Sequence, residues 1–105
     1  MKKPKLKLNQ QQFESLYLLF ARVVMPDTPA DIAESLLMDL LEKIHHKLRK
    51  RYEYKFSKDG WNLTLEPEEA KAFYLYFQNR ALPAGLTYEN ILIQTQLNEI
   101  NKLYA

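Results

Sequence analysis

The stretch LKLNQQQFESLYLLF, Leu6 to Phe20, returns 57 positions later as LTLEPEEAKAFYLYF, Leu63 to Phe77. At that offset Leu6, Leu8, Tyr17, Leu18 and Phe20 meet identical residues at Leu63, Leu65, Tyr74, Leu75 and Phe77, and Pro26 meets Pro83. Each copy opens on an alternating Leu-x-Leu, the period of a strand, and then switches to apolar residues three and four apart, the period of a helix. A further amphipathic helix follows each copy, so the chain reads as two β-α-α units, residues 6–50 and 63–104. Neither unit has a second layer of its own to cover its apolar stripe. Packing one against the other about an internal pseudo-twofold covers both, which is the physical reason that repeats stack.

Local signals place the elements. Asn9 is a reasonable N-cap for a helix whose stripe is Phe13, Leu16, Tyr17, Phe20, Val23 and Val24, and Pro26 ends it. In DTPADIAE, Thr28 reads as an N-cap, Pro29 as the first helical residue and Asp31 as the acidic member of a capping box. The helix that follows aligns Ile32, Leu36, Leu37, Leu40, Leu41, Ile44 and Leu48 on one stripe, with Asp39, Glu42, Lys43 and His46 opposite. YEYKF then alternates Tyr52, Tyr54 and Phe56 with Glu53 and Lys55, and WNLTL alternates Trp61, Leu63 and Leu65, so a hairpin with Gly60 in its turn is expected. Glu66, Pro67, Glu68 and Glu69 form a proline-led, acid-rich start for a helix that turns Ala70, Phe73, Tyr74 and Phe77 inward. LPAG interrupts the chain, Thr87 can cap, and Ile91, Leu92, Leu97, Ile100 and Tyr104 define a last helix. The predicted fold is α+β: four helices on one face of an antiparallel sheet built from Lys5 to Leu8, Tyr52 to Phe56 and Trp61 to Leu65, with the first strand beside the third. The alternative is an all-α bundle in which the second helix continues through Tyr54.

A chain of 105 residues fits one domain, 1–105, and 47% apolar residues supply it with an ordinary globular core. The absence of cysteine removes disulfides, thiolate metal sites and thiol nucleophiles, and is compatible with the cytoplasmic location expected here. The basic start, MKKPKLKLNQQQ, imitates an export signal, but glutamines and Glu14 precede the apolar run and Arg22 interrupts it, so no signal is read. No uncharged apolar stretch reaches the roughly 18 residues of a membrane span.

Catalytic patterns are missing. The only glycines, Gly60 and Gly85, cannot build a phosphate loop, a dinucleotide fingerprint or a nucleophile elbow. His45 and His46 are adjacent, about 100° apart on a helix, and cannot share a ligand as an i, i+4 pair would. Glu42 and His45 read Glu-x-x-His once, where a di-iron bundle needs it on two helices. Asp39, Glu42 and His46 share an arc that points to solvent. A non-enzymatic module without a cofactor is expected, binding protein through apolar and aromatic surface.

Two features carry the binding hypotheses. Leu18, Leu19, Leu75 and Tyr76 lie off the main stripes of their helices, so LYLLF and FYLYF are apolar nearly all round. Either these helices are central to the fold, or Leu19 and Tyr76 form a protein interface, which predicts a homodimer. The second feature is charge: most of the 15 cations fall in Lys2 to Lys7 and Lys43 to Lys58. Lys5, Lys7, Lys47, Arg49, Lys50, Arg51 and Lys55 are the candidate contacts if the partner is nucleic acid, with tyrosines interleaved for base stacking. The bland alternative is a solvated helix end followed by a strand edge protected by lysines.

Overall fold

The computed structural model describes residues 3–53, 61–78, 82–83 and 85–104, and the element order is strand, helix, helix, strand, helix, helix. Strand β1 (Lys5–Leu8) pairs antiparallel with strand β2 (Trp61–Thr64), placing Leu6 opposite Leu63. These are equivalent residues of the repeat, so the sheet register and the sequence offset coincide. Leu65 N–H extends the ladder by donating to the Pro4 carbonyl at 3.0 Å. Leu6, Leu8 and Leu63 point inward and are buried, while Lys5, Lys7 and Asn62 face solvent. A one-residue slip would exchange the two sets, and this fixes the register.

The sheet has two strands among the described residues, with the expected first strand beside the expected third. The middle strand is corrected at its start: Tyr52 is the last residue of helix α2 (Ile32–Tyr52), and Glu53 caps it. Tyr52 stays helical because that turn sets its ring on Tyr17, with centroids 4.5 Å apart. Tyr54, Lys55, Phe56 and the Gly60 turn lie outside the described residues.

Helix α1 (Gln10–Leu19) opens on a reciprocal capping box, in which Asn9 Oδ1 accepts from Gln12 N–H and Gln12 Oε1 accepts from Asn9 N–H. The helix then widens into a π-helical segment (Phe20–Val24), closed by Met25 N–H donating to the Phe20 carbonyl at 2.8 Å. Helix α3 (Pro67–Gln78) starts 57 positions after α1, with Glu69 Oε1 accepting from Glu66 N–H.

The start of α2 falls later than expected. Asp31, not Thr28, is the N-cap: its carboxylate accepts from Glu34 N–H, and Glu34 Oε2 accepts from Ala30 N–H. The acid-x-x-glutamate spacing satisfies two exposed donors at once, which Thr28 with Asp31 would leave to water. Helix α4 (Thr87–Tyr104) contains Thr87 as its first residue, and the Leu86 carbonyl accepts the first helical bond from Asn90 N–H.

The four helices close a ring in which α1 and α3 each pack against both α2 and α4. At its centre Phe20 lies 6.1 Å from Phe73 and 5.9 Å from Phe77 between ring centroids. Leu41, Ile44 and Leu48 from α2 and Ile93, Leu97 and Ile100 from α4 complete the core.

Candidate functional site

Leu19 and Tyr76, the interface pair expected from the sequence, are both buried inside the chain, so they offer no free surface. Tyr76 Oη donates to Asp27 Oδ2 at 2.9 Å, which anchors the loop between the π-helical segment and α2. Their neighbours Leu18 and Leu75 are the exposed members of the two repeated stretches.

The basic residues divide. Lys5 and Lys7 stand on the solvent face of β1, and Arg49 and Lys50 are exposed on the last turn of α2. Lys47 is committed elsewhere: its Nζ donates to the Thr64 carbonyl at 3.1 Å and to Glu69 Oε1. It thereby closes the outer edge of β2 and partners a glutamate whose side chain is only 5% exposed. Lys3 is paired with Glu66 at 3.0 Å. The acids at the start of α3 therefore neutralise two of the cations nearest the sheet. Arg51 is half-buried, and Lys55 lies outside the described residues.

His45 sits at the edge of the core as expected, stacked on Tyr17 at 5.7 Å and facing Phe20 at 6.4 Å between centroids. Its Nδ1 is buried without a hydrogen-bond partner among the described residues. Burial holds its pKa below the ordinary 6.5; Arg49 and His46 push the same way, and Glu42 opposes them. A histidine kept neutral between aromatic rings completes the packing of α1 on α2. No group of three or more His, Asp or Glu placed to hold a metal occurs among the described residues, and no helix there is long and apolar enough to cross a membrane.

The surface feature that stands out lies on the opening turns of α2. Ile32 and Leu36, placed by their spacing on the core stripe, are 89% and 62% exposed. The reason is length. At 21 residues α2 is about 31 Å long, against about 18 Å for the 12-residue α3 beside it. The ends of the two helices meet at Lys47 and Glu69, so the excess projects at the N-terminal end of α2. Asp31, Glu34, Asp39 and Glu42 lie on the same opening turns of α2, and no Lys or Arg falls between 31 and 42. Ile91, likewise expected inside, is exposed near the start of α4, with Tyr88 beside it. A sequence signal for the α2 patch exists in hindsight: consecutive i, i+4 steps drift about 40° each, so a stripe of five turns cannot face one neighbour throughout. No family model, curated protein or solved structure matches this chain.

Proposed function

We propose that this protein is a non-enzymatic interaction module whose opening turns of α2 dock an apolar segment of another protein flanked by Lys or Arg. The observation that supports this reading is the exposure of Ile32 and Leu36 on a helix whose start is fixed by reciprocal caps. Two large aliphatic side chains one turn apart, held without loss of backbone order, suit helix-in-groove recognition. The acidic, cation-free character of these turns favours cations on the partner and disfavours pairing of two α2 openings, where like charges would meet. The repeated β-α-α order is read as an internal duplication, supported by the coincidence of the sheet register with the sequence offset.

The test is a photo-crosslinker at position 36, compared with one at Asn98 on the exposed side of α4. The reading expects position 36 to capture a partner through a peptide bearing apolar and basic residues. It also expects Ile32→Lys with Leu36→Lys to abolish capture while the melting temperature holds. Equal capture by the two positions, or capture that survives the double substitution, overturns it.

A second reading, nucleic-acid binding, is favoured by the exposure of Lys5 and Lys7 beside each other on the sheet. It requires affinity that falls steeply with salt and drops further in Lys5→Glu with Lys7→Glu.

A further inference from the structure

The two halves of the fold differ at one matched place. The first helices of the halves correspond at an offset of 57, and the buried positions of the second helices correspond at 52. On the latter spacing Leu41, Ile44 and Leu48 match Ile93, Gln96 and Ile100, all of them buried. Tyr17 and Tyr52 therefore answer to Tyr74 and Tyr104. In the first half the two rings stack, 4.5 Å apart and 15° from parallel, with His45 continuing the column. In the second half Tyr74 and Tyr104 instead frame an apolar cavity of about 240 Å³ together with Lys71, Leu75, Ile100 and Asn101.

The charge at the rim is also reversed. Lys71 occupies the position that Glu14 holds in the first half, and its Nζ lies 5.5 Å from the centroid of the Tyr104 ring. Asn101 adds an amide capable of both donating and accepting. A cavity of about 150 Å³ with aliphatic and aromatic walls already holds a benzene ring. This one is larger and open to solvent, and it lies where the other half is filled by a stacked aromatic column.

From these features we infer that the α3–α4 cavity takes an aromatic side chain of a partner protein, presented next to a carboxylate that Lys71 receives. This inference deepens the proposed function in that the ligand is again a protein, but the site is distinct from the α2 opening and is tested separately. Edge-to-face or offset contact with Tyr74 and Tyr104 rewards an aromatic over an aliphatic group of similar size. The rim cation selects the flanking charge.

The experiment follows the methyl resonances of Leu75 and Ile100 during titration with the peptide acetyl-Glu-Tyr-Glu-amide. Three other probes are run beside it: acetyl-Glu-Leu-Glu-amide, acetyl-Lys-Tyr-Lys-amide and adenosine monophosphate. The expected result is a saturable shift with a Kd on the order of 1 mM for the first peptide, the affinity of a single small anchor. The leucine peptide should bind at least about tenfold more weakly, and Lys71→Glu should invert the preference between the Glu and Lys peptides. Leu75→Trp should fill the cavity and remove the shifts. Because Lys71 is a surface side chain, the Lys71→Glu result stands even if Leu75→Trp fails to fold. The absence of saturation at about 10 mM, equal binding of the leucine peptide, or tighter binding of the nucleotide overturns the inference. Ile32→Lys with Leu36→Lys is run in parallel and should leave these shifts unchanged, so failure at one face is distinguishable from failure at the other.

Discussion

Phe20 and Phe77, equivalent residues of the repeated stretch, meet at the centre of the fold with ring centroids 5.9 Å apart. Leu6 and Leu63, also equivalent, face each other in the sheet. A duplicated chain folded about a twofold would bring equivalent residues together near its axis, and these two pairs lie as the proposed duplication requires. The helices are arranged consistently with it, α1 packing on α4 and α3 on α2. Each half leaves an apolar face open, and the other half covers it.

Because Phe20 and Phe77 form one contact, their truncations should not add. Phe20→Leu and Phe77→Leu each remove a buried ring from the central cluster. Urea melts of both singles and the double should yield a coupling of about 0.5 to 1.5 kcal/mol, the range for aromatic pairs. Strict additivity would mean that the rings are neighbours without a mutual interaction.

Much of this fold was legible in the chain. The Leu-x-Leu strands, the Asn9 cap and the Glu66-Pro67 helix start are local signals, each decided by residues within one turn of each other. The end of α2 is not legible locally, because Tyr52, Tyr54 and Phe56 satisfy a period of two and no local rule says that Tyr52 still belongs to the preceding helix. The exposure of Ile32 and Leu36 was hidden for a different reason. Periodicity shows which way a face points, but the reach of α3 decides how much of it is covered. Lys47 and Glu69 are 22 positions apart, and only the fold brings them together. The α3–α4 cavity needed the first half as a template, since nothing in Tyr74 or Tyr104 alone distinguishes an open site from a stacked pair.

The Tyr76 hydroxyl offers a graded test of the central helices. Tyr76→Phe keeps the ring in place and deletes the hydrogen bond to Asp27, which should cost about 1.5 to 3 kcal/mol, as for a bond to a carboxylate. Tyr76→Glu should unfold the protein, because it places a carboxylate beside Phe77 in the buried cluster. Thermal melts monitored by circular dichroism read both effects. A Tyr76→Glu chain that melts normally would show that the α3 face has been misassigned.

Lys47 should behave as a structural residue, not as a free surface cation. Lys47→Met leaves Glu69 with the Glu66 N–H but removes its counter-charge, and it also strips the donor from the Thr64 carbonyl. A loss of about 2 kcal/mol is expected, below the 3 to 5 kcal/mol of a fully buried pair because Lys47 is partly solvated. Lys43→Met, one turn away and exposed, should change stability by less than about 0.5 kcal/mol. Chemical denaturation of the two variants at neutral pH makes the comparison, and similar losses would contradict the assignment.

Stability should also depend on pH through His45. Its folded pKa is depressed by burial first and by Arg49 next, so between the folded value and 6.5 the unfolded chain binds the extra proton. The contribution of neutral His45 is therefore complete above pH 6.5 and is lost as the pH falls through the folded value. His45→Phe keeps a ring against Tyr17 and Phe20 and cannot titrate. Its stability relative to the wild type should rise as the pH is lowered from 7 to 5, measured by urea midpoints at each pH. A constant difference would show that His45 titrates alike in both states.

The last prediction separates the two ends of the α2 stripe, on which the proposed docking face depends. Leu41 is fully buried in the hydrophobic core, whereas Leu36 and Ile32 keep most of their surface in water. Truncation removes transfer free energy only for atoms that the fold has dehydrated, and it leaves a cavity only where neighbours surround the side chain. Leu41→Ala should therefore cost about 2 to 5 kcal/mol, and Leu36→Ala less than about 0.5 kcal/mol, with Ile32→Ala smaller still or favourable through the higher helix propensity of alanine. Guanidinium melts at one pH and salt concentration are sufficient to measure all three. If Leu36→Ala costs as much as Leu41→Ala, the opening turns of α2 are packed in solution and the apolar surface assigned to a partner is not available. If the costs divide as expected, Ile32 and Leu36 contribute little to the isolated fold, and their apolar surface is available to the proposed partner.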